Sequence, residues 1–120
     1  MKHLLLASAL FLAIPVTAHA CSASDFTIQD FKVAAGSNGM NSKMTMKGQL
    51  VNHCAQPAAA QIEIQAKDAS GNVVSSKKGW PAGTTNIAPG QAVEFDLGRQ
   101  FHYESSMQTY AAGIASVRAW

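Results

Sequence analysis

From Lys43 to Leu50, Met44, Met46, Gly48 and Leu50 fall on one side of an extended chain, and Lys43, Thr45, Lys47 and Gln49 fall on the other. The same two-residue period returns twice. Ile62, Ile64 and Ala66 alternate with Gln61, Glu63, Gln65 and Lys67, and Val93, Phe95 and Leu97 alternate with Ala92, Glu94 and Asp96. Successive side chains of a strand point to opposite faces, whereas a helix would scatter these residues around its axis. Alternation of this kind marks antiparallel strands with one face on a core and one in water. No segment combines helical period with length, so the chain is expected to pack sheet on sheet.

Two further segments are less regular. Phe26 and Ile28 share one parity, and Phe31 and Val33 share the other. A flat strand cannot bury all four on one side, so either a bulge near Gln29-Asp30 flips the face or the strand crosses between two sheets. Tyr110 to Trp120 reads as a strand with Ala115, Val117 and Ala119 inward and Gly113 at a bulge. Gln100 to Gln108 leaves two readings open after a strand from Phe101 to Tyr103, a loop or a helical turn. Turn signals separate the runs at Ala35 to Gly39, Gln56-Pro57, Ser70-Gly71-Asn72, Pro81-Ala82-Gly83 and Pro89-Gly90. Short strands at this spacing predict a β-sandwich.

Residues 1–20 are set apart as a secretory signal peptide. Lys2 and His3 open it, Leu4 to Ile14 form an apolar run, and Ala18-His19-Ala20 has the small-x-small form of a cleavage site. That run is too short to span a bilayer, and no other approaches the roughly 18 apolar residues a spanning helix needs. Residues 21–120 then form one domain of a periplasmic or secreted protein. Cys21 would be its first residue, the place where a bacterial lipoprotein carries its acylated cysteine. A lipobox favours Leu, then Gly, Ala or Ser, where this chain has Ala18 and His19. Ordinary cleavage is therefore the reading, and a lipid anchor at Cys21 is the alternative.

Cys21 and Cys54 are the two cysteines. In an oxidising compartment two cysteines in a small domain are expected to pair. Charge is near balance, with 9 basic and 7 acidic residues in the whole chain. No basic patch exists beyond Lys77-Lys78, which excludes a nucleic-acid partner on this reading.

The order of short motifs resembles a known family. Gly48-Gln49-Leu50-Val51-Asn52 is followed by Pro57-Ala58, then Asp68-Ala69-Ser70-Gly71-Asn72-Val73-Val74, then Ile87-Ala88-Pro89-Gly90-Gln91-Ala92-Val93-Glu94-Phe95. This looks like the FxLYD-type bacterial extracytoplasmic domains. The resemblance covers about Lys43 to Leu97. It implies an immunoglobulin/fibronectin-like antiparallel β-sandwich of about seven strands, and no shared catalytic residues. The namesake string starts with Phe95-Asp96-Leu97 but departs at Gly98-Arg99, and the cysteine pair stands outside the family pattern.

Each motif residue also has a physical job. Asn52 ends a strand and can bond its own turn, Ser70-Gly71-Asn72 suits a hairpin that needs positive φ, and Pro89-Gly90 supplies a tight turn.

Nucleophilic catalysis needs a nucleophile, a base and an orienting group within reach. His53 and His102 are the histidines beyond residue 20, there is no Gly-x-Ser-x-Gly elbow, and Glu63 and Glu94 sit on polar strand faces. The chain is read as non-catalytic and without a cofactor. A sharper alternative is a periplasmic copper site built from Met40, Met44, Met46 and His53, whose thioether and imidazole groups suit that metal. Against it, Met44 and Met46 share the parity of Leu50 and would serve as flexible core fillers. A candidate surface for an envelope protein or surface ligand is Lys77, Lys78 and Trp80, with Trp80 as a cap on one end of the core as the plainer reading. The segment from Val73 to Lys78 carries the charges typical of a protected sheet edge.

Overall fold

The computed structural model describes residues 20–35 and 44–120. Residues 1–19 of the expected signal peptide, and Met40, lie outside the described residues. Six strands form two antiparallel sheets: β1 (Phe26–Ala35), β2 (Met44–Asn52), β3 (Ala59–Lys67), β4 (Val73–Gly79), β5 (Ala92–Asp96) and β6 (Thr109–Arg118). One sheet has the order β1-β2-β5 and the other β4-β3-β6. The chain changes sheet after β2, β4 and β5, as immunoglobulin-like sandwiches do. The expected sandwich is therefore present, with six strands among the described residues where about seven were expected.

The alternation sorts the core as expected. Met44, Met46, Leu50, Ile62, Ile64 and Ala66 are buried, five of them with no exposed surface at all. Phe95 and Leu97 join them from β5 and its exit. Fully burying one such aliphatic side chain stabilises the fold by about 1.5–3 kcal/mol. The central strands β2 and β3 carry the innermost residues because each has a neighbour on both sides.

The parity conflict in β1 is resolved by a bulge. Gln29 pairs with Gln49 and Lys32 with Lys47, so Asp30 and Phe31 together face Gly48. Asp30 takes φ 55° there, a left-handed conformation that aspartate tolerates better than most residues. Ile28 and Val33, of opposite parity, both pack against the core as a result.

The absence of a side chain at Gly48 is also used. A Cβ at this position would lie 2.8 Å from Phe95 Cζ and 3.2 Å from the Gln29 carbonyl oxygen. The Phe95 ring occupies that space and stacks toward Phe31, with ring centroids 6.5 Å apart. Gly48→Ala is predicted to destabilise by about 1–3 kcal/mol through overpacking, read as a lower urea midpoint with an unchanged slope.

Two sequence expectations for the last strand need correction. The register between β3 and β6 jumps from Gln61↔Ser116 to Ile62↔Ile114, so the bulged residue is Ala115 and not Gly113. The bulge turns the later residues over. Tyr110, Ala112, Ile114 and Val117 pack against the core, whereas Ala115 and Ala119 are exposed.

The segment after β5 is a 3-10 turn, Gly98–Gln100, followed by irregular chain. It has no strand from Phe101 to Tyr103, yet it inserts Phe101 and Met107 into the core. β4 is a sheet edge, as its lysines suggested.

The Tyr110 phenol is pushed above its ordinary value of 10.0, first by burial and then by the neighbouring Tyr103. A raised folded-state value means that the unfolded chain ionises first as pH rises. This contribution is intact below pH about 10 and is lost above it. Stability measured by denaturant titration should therefore fall more steeply above that pH in the wild type than in Tyr110→Phe.

Candidate functional site: a stapled corner and an aromatic surface

Cys54 and His53 follow directly on β2, at a corner that the structure ties in three ways. Cys21 and Cys54 form a disulfide, with their Cα atoms 5.8 Å apart. The His53 N–H donates to the Asp25 carbonyl oxygen at 2.8 Å. Asn52 is the third tie. It has no exposed surface, and its Nδ2 donates to the carbonyl oxygens of Gln56 at 3.0 Å and Ile87 at 2.8 Å, while Oδ1 accepts from the Cys54 N–H at 2.7 Å. Its backbone donates to the Gln91 carbonyl oxygen and accepts from the Gly90 N–H. One side chain thus closes its own turn and joins it to the loop before β5.

The sequence signalled only the local half of this role. An Asn at a strand end is an ordinary turn former, and nothing in the spacing of residues 52 and 87 announces a bond between them.

The corner has little capacity for chemistry. Cys21, Asp25 and Cys54 are the one set of His, Cys, Asp or Glu among the described residues whose ligand atoms lie close enough to share a metal. Both sulfurs are in the disulfide, so neither offers a thiolate. Asp25 Oδ2 accepts from the Ser22 N–H and hydroxyl. The His53 ring is exposed and bonds the Thr27 hydroxyl at 2.9 Å. A thioether-linked lipid at Cys21 and this disulfide exclude each other, because they need the same sulfur.

The methionine and histidine set is not brought together. Met44 and Met46 are 3 % and 0 % exposed. They point into the core, and His53 lies seven residues beyond Met46, about 23 Å along an extended chain. Met40 lies outside the described residues. A shallow cleft of about 470 Å³ on the β1-β2-β5 sheet is lined by Asp30, Lys47, Glu94 and Asp96 among others. Asp96 is already engaged there, since its Oδ1 accepts from the N–H groups of Met46 and Gly98. Its other charged lining residues, Asp30, Lys47 and Glu94, are exposed and of mixed sign, and Gly48, Gln49 and Phe95 complete the lining.

Beside the surface expected around Lys77, Lys78 and Trp80, the structure places Trp120 and Arg118. Lys77 and Lys78 are exposed on β4, where Lys78 pairs with Glu63 on β3. Trp80 is half-buried and meets Trp120 edge to face, with ring centroids 5.6 Å apart. The cation at these rings is Arg118, whose Cζ lies 4.7 Å from the Trp120 ring centroid. The Trp120 N–H donates to Asn86 Oδ1 at 2.9 Å, which fixes the chain at that point. Trp120 remains 45 % exposed. Residues 80 and 120 meet only because β4 and β6 flank β3, a long-range neighbourhood that no local motif encodes.

Comparison with protein-family models, with curated proteins and with solved structures finds no match.

Proposed function

We propose that this chain is a small, non-catalytic, extracytoplasmic β-sandwich, periplasmic or secreted, with a binding or structural role in the cell envelope. Contact with its partner is made through the surface of Trp80, Trp120 and Arg118. The observation that carries this reading is Trp120, a large aromatic side chain left 45 % exposed but held in place by Trp80, Arg118 and Asn86. Fixed aromatic side chains beside arginine are the residue types that dominate binding energy at protein interfaces, because they bury much area at little entropic cost. The disulfide supports the compartment, since such bonds persist where the environment is oxidising. The signal-like residues 1–20 and the resemblance to FxLYD-type domains point the same way.

The test is capture from an extract of the native envelope with immobilised wild type, Trp80→Ala/Trp120→Ala and His53→Ala. The wild type and His53→Ala retain the same partner, and the double tryptophan variant loses it while keeping its far-ultraviolet circular dichroism. Equal capture by all three would place the contact elsewhere.

A further inference from the structure

β6 is the edge of its sheet that lacks the ordinary defences. Among the described residues it pairs with β3 alone. Exposed strand edges are normally blunted by charge, proline or distortion, because their free N–H and C=O groups are a template for another strand. The other three edges have such protection. β4 carries Lys77 and Lys78, β5 carries Glu94 and Asp96, and β1 carries the Asp30 bulge and Lys32. In contrast, no charged residue and no proline occurs from Ser105 to Val117. The only distortion is the bulge at Ala115, which leaves Thr109 to Ile114 regularly paired with β3.

The core is also less completely covered along this edge. Ile62, Ile64 and Ala66 on β3 are 0 % exposed. Their neighbours on β6, Ile114, Ala112 and Tyr110, are half-buried.

We propose that β6 pairs antiparallel with β6 of a second copy of this chain, joining two three-stranded sheets into one of six strands. Charge selects the occupant. Self-pairing of β5 would bring Glu94 and Asp96 of two copies together, and self-pairing of β4 would do the same with lysines, whereas β6 meets its copy without a like charge on Thr109 to Val117. Parity limits the register to a two-fold axis through a residue, and the side chains thus paired favour Ala112. Residues directly opposite must share a face, so a two-fold axis through Ala112 sets Tyr110 against Ile114 of the second copy on the core side. The same axis sets Ala111 against Gly113 on the outer side. The first is an aromatic and β-branched pair, a favourable cross-strand combination. The second brings two small residues together, and the space at Gly113 is open, with nothing within 4 Å of a Cβ built there. The contact is isologous and therefore closes at two copies.

The test uses the oxidised chain in sedimentation equilibrium up to about 1 mM, because a single strand pair is a small interface and its dimer is weak. A reversible monomer–dimer equilibrium is expected. Ala111→Lys/Gly113→Lys, which sets lysines opposite each other twice at exposed positions, should weaken it at least about tenfold. Val73→Lys on β4 should leave it unchanged. A second measurement needs no variant: amide exchange of Thr109 to Ile114 in the wild type should slow as concentration rises. A monomer at all concentrations overturns the proposal. So does a dimer indifferent to the β6 lysines, or one that shows no concentration-dependent protection of β6.

Discussion

Opening the Cys21–Cys54 bond lowers the free energy of unfolding by about 2–5 kcal/mol, with the same loss from reductant and from Cys21→Ser/Cys54→Ser. The bond spans a sequence separation of 33 residues, and the chain-entropy model gives about 3.7 kcal/mol for closing such a loop in the unfolded state. Its place in the fold explains why the native state accepts it. β1 and β2 form an antiparallel pair that begins at Phe26↔Asn52, and the disulfide joins the chain just outside that pair. It ties the open end of a hairpin whose strands are already neighbours. The loss is a large share of the 5–15 kcal/mol that holds a small domain. Guanidinium unfolding of oxidised, reduced and double-serine chains measures it. A shift below about 0.5 kcal/mol, the size of a surface substitution, would mean that the bond constrains little.

Asn52→Ala is expected to cost about as much, about 3–5 kcal/mol, although it removes no covalent bond. The Asn52 side chain satisfies the Cys54 N–H and the carbonyl oxygens of Gln56 and Ile87 from a position with no exposed surface. Truncation leaves these groups without their partner, and each buried group so orphaned costs about 1–3 kcal/mol. Asn52→Asp separates this account from a simple packing loss. It is nearly isosteric, but it replaces two donors with a carboxylate facing two carbonyl oxygens. It should be at least as damaging as alanine at neutral pH and should recover in part in acid, where a protonated carboxyl can donate again. An Asn52→Asp chain as stable as the wild type would show that the hydrogen bonds at this corner are dispensable.

The parts of the fold that could be read in advance are those written in short-range pattern. Alternation in β2, β3 and β5 placed Met46, Leu50, Ile62, Ile64 and Phe95 in the core because a strand has only two faces. The mixed parity of Phe26, Ile28, Phe31 and Val33 was enough to require either a bulge near Gln29-Asp30 or a crossing between sheets, and the structure has the bulge, with Asp30 at positive φ. The same reasoning failed in β6. Ala111, Ala112 and Ala115 are alike in size and polarity, so nothing local said which of them faces inward, and the glycine drew the bulge two residues too early. Phe101 and Met107 were missed as core residues because they enter from irregular chain, where parity has no meaning.

The candidate site divides in the same way. The disulfide followed from counting cysteines and from the compartment. The tryptophan pair and the bond from Asn52 to the Ile87 carbonyl depend on contacts 40 and 35 residues apart in the chain, and these exist only once the sheets are assembled. The lysines singled out beside Trp80 were chosen for nearness in sequence. Arg118, which sits over the aromatic ring, is near in space.

All of this treats the corner at Cys54 as a structural staple, which leaves binding to the surfaces. Intact mass spectrometry of the mature protein, taken from its native compartment under native conditions and again after reduction, tests that claim most directly. The account predicts a native form lighter than the reduced one by two hydrogens, with no acyl chain, no bound metal and no alkylation until reductant is added. Two thiols that alkylate in the folded protein, or an added lipid or metal mass, would contradict it.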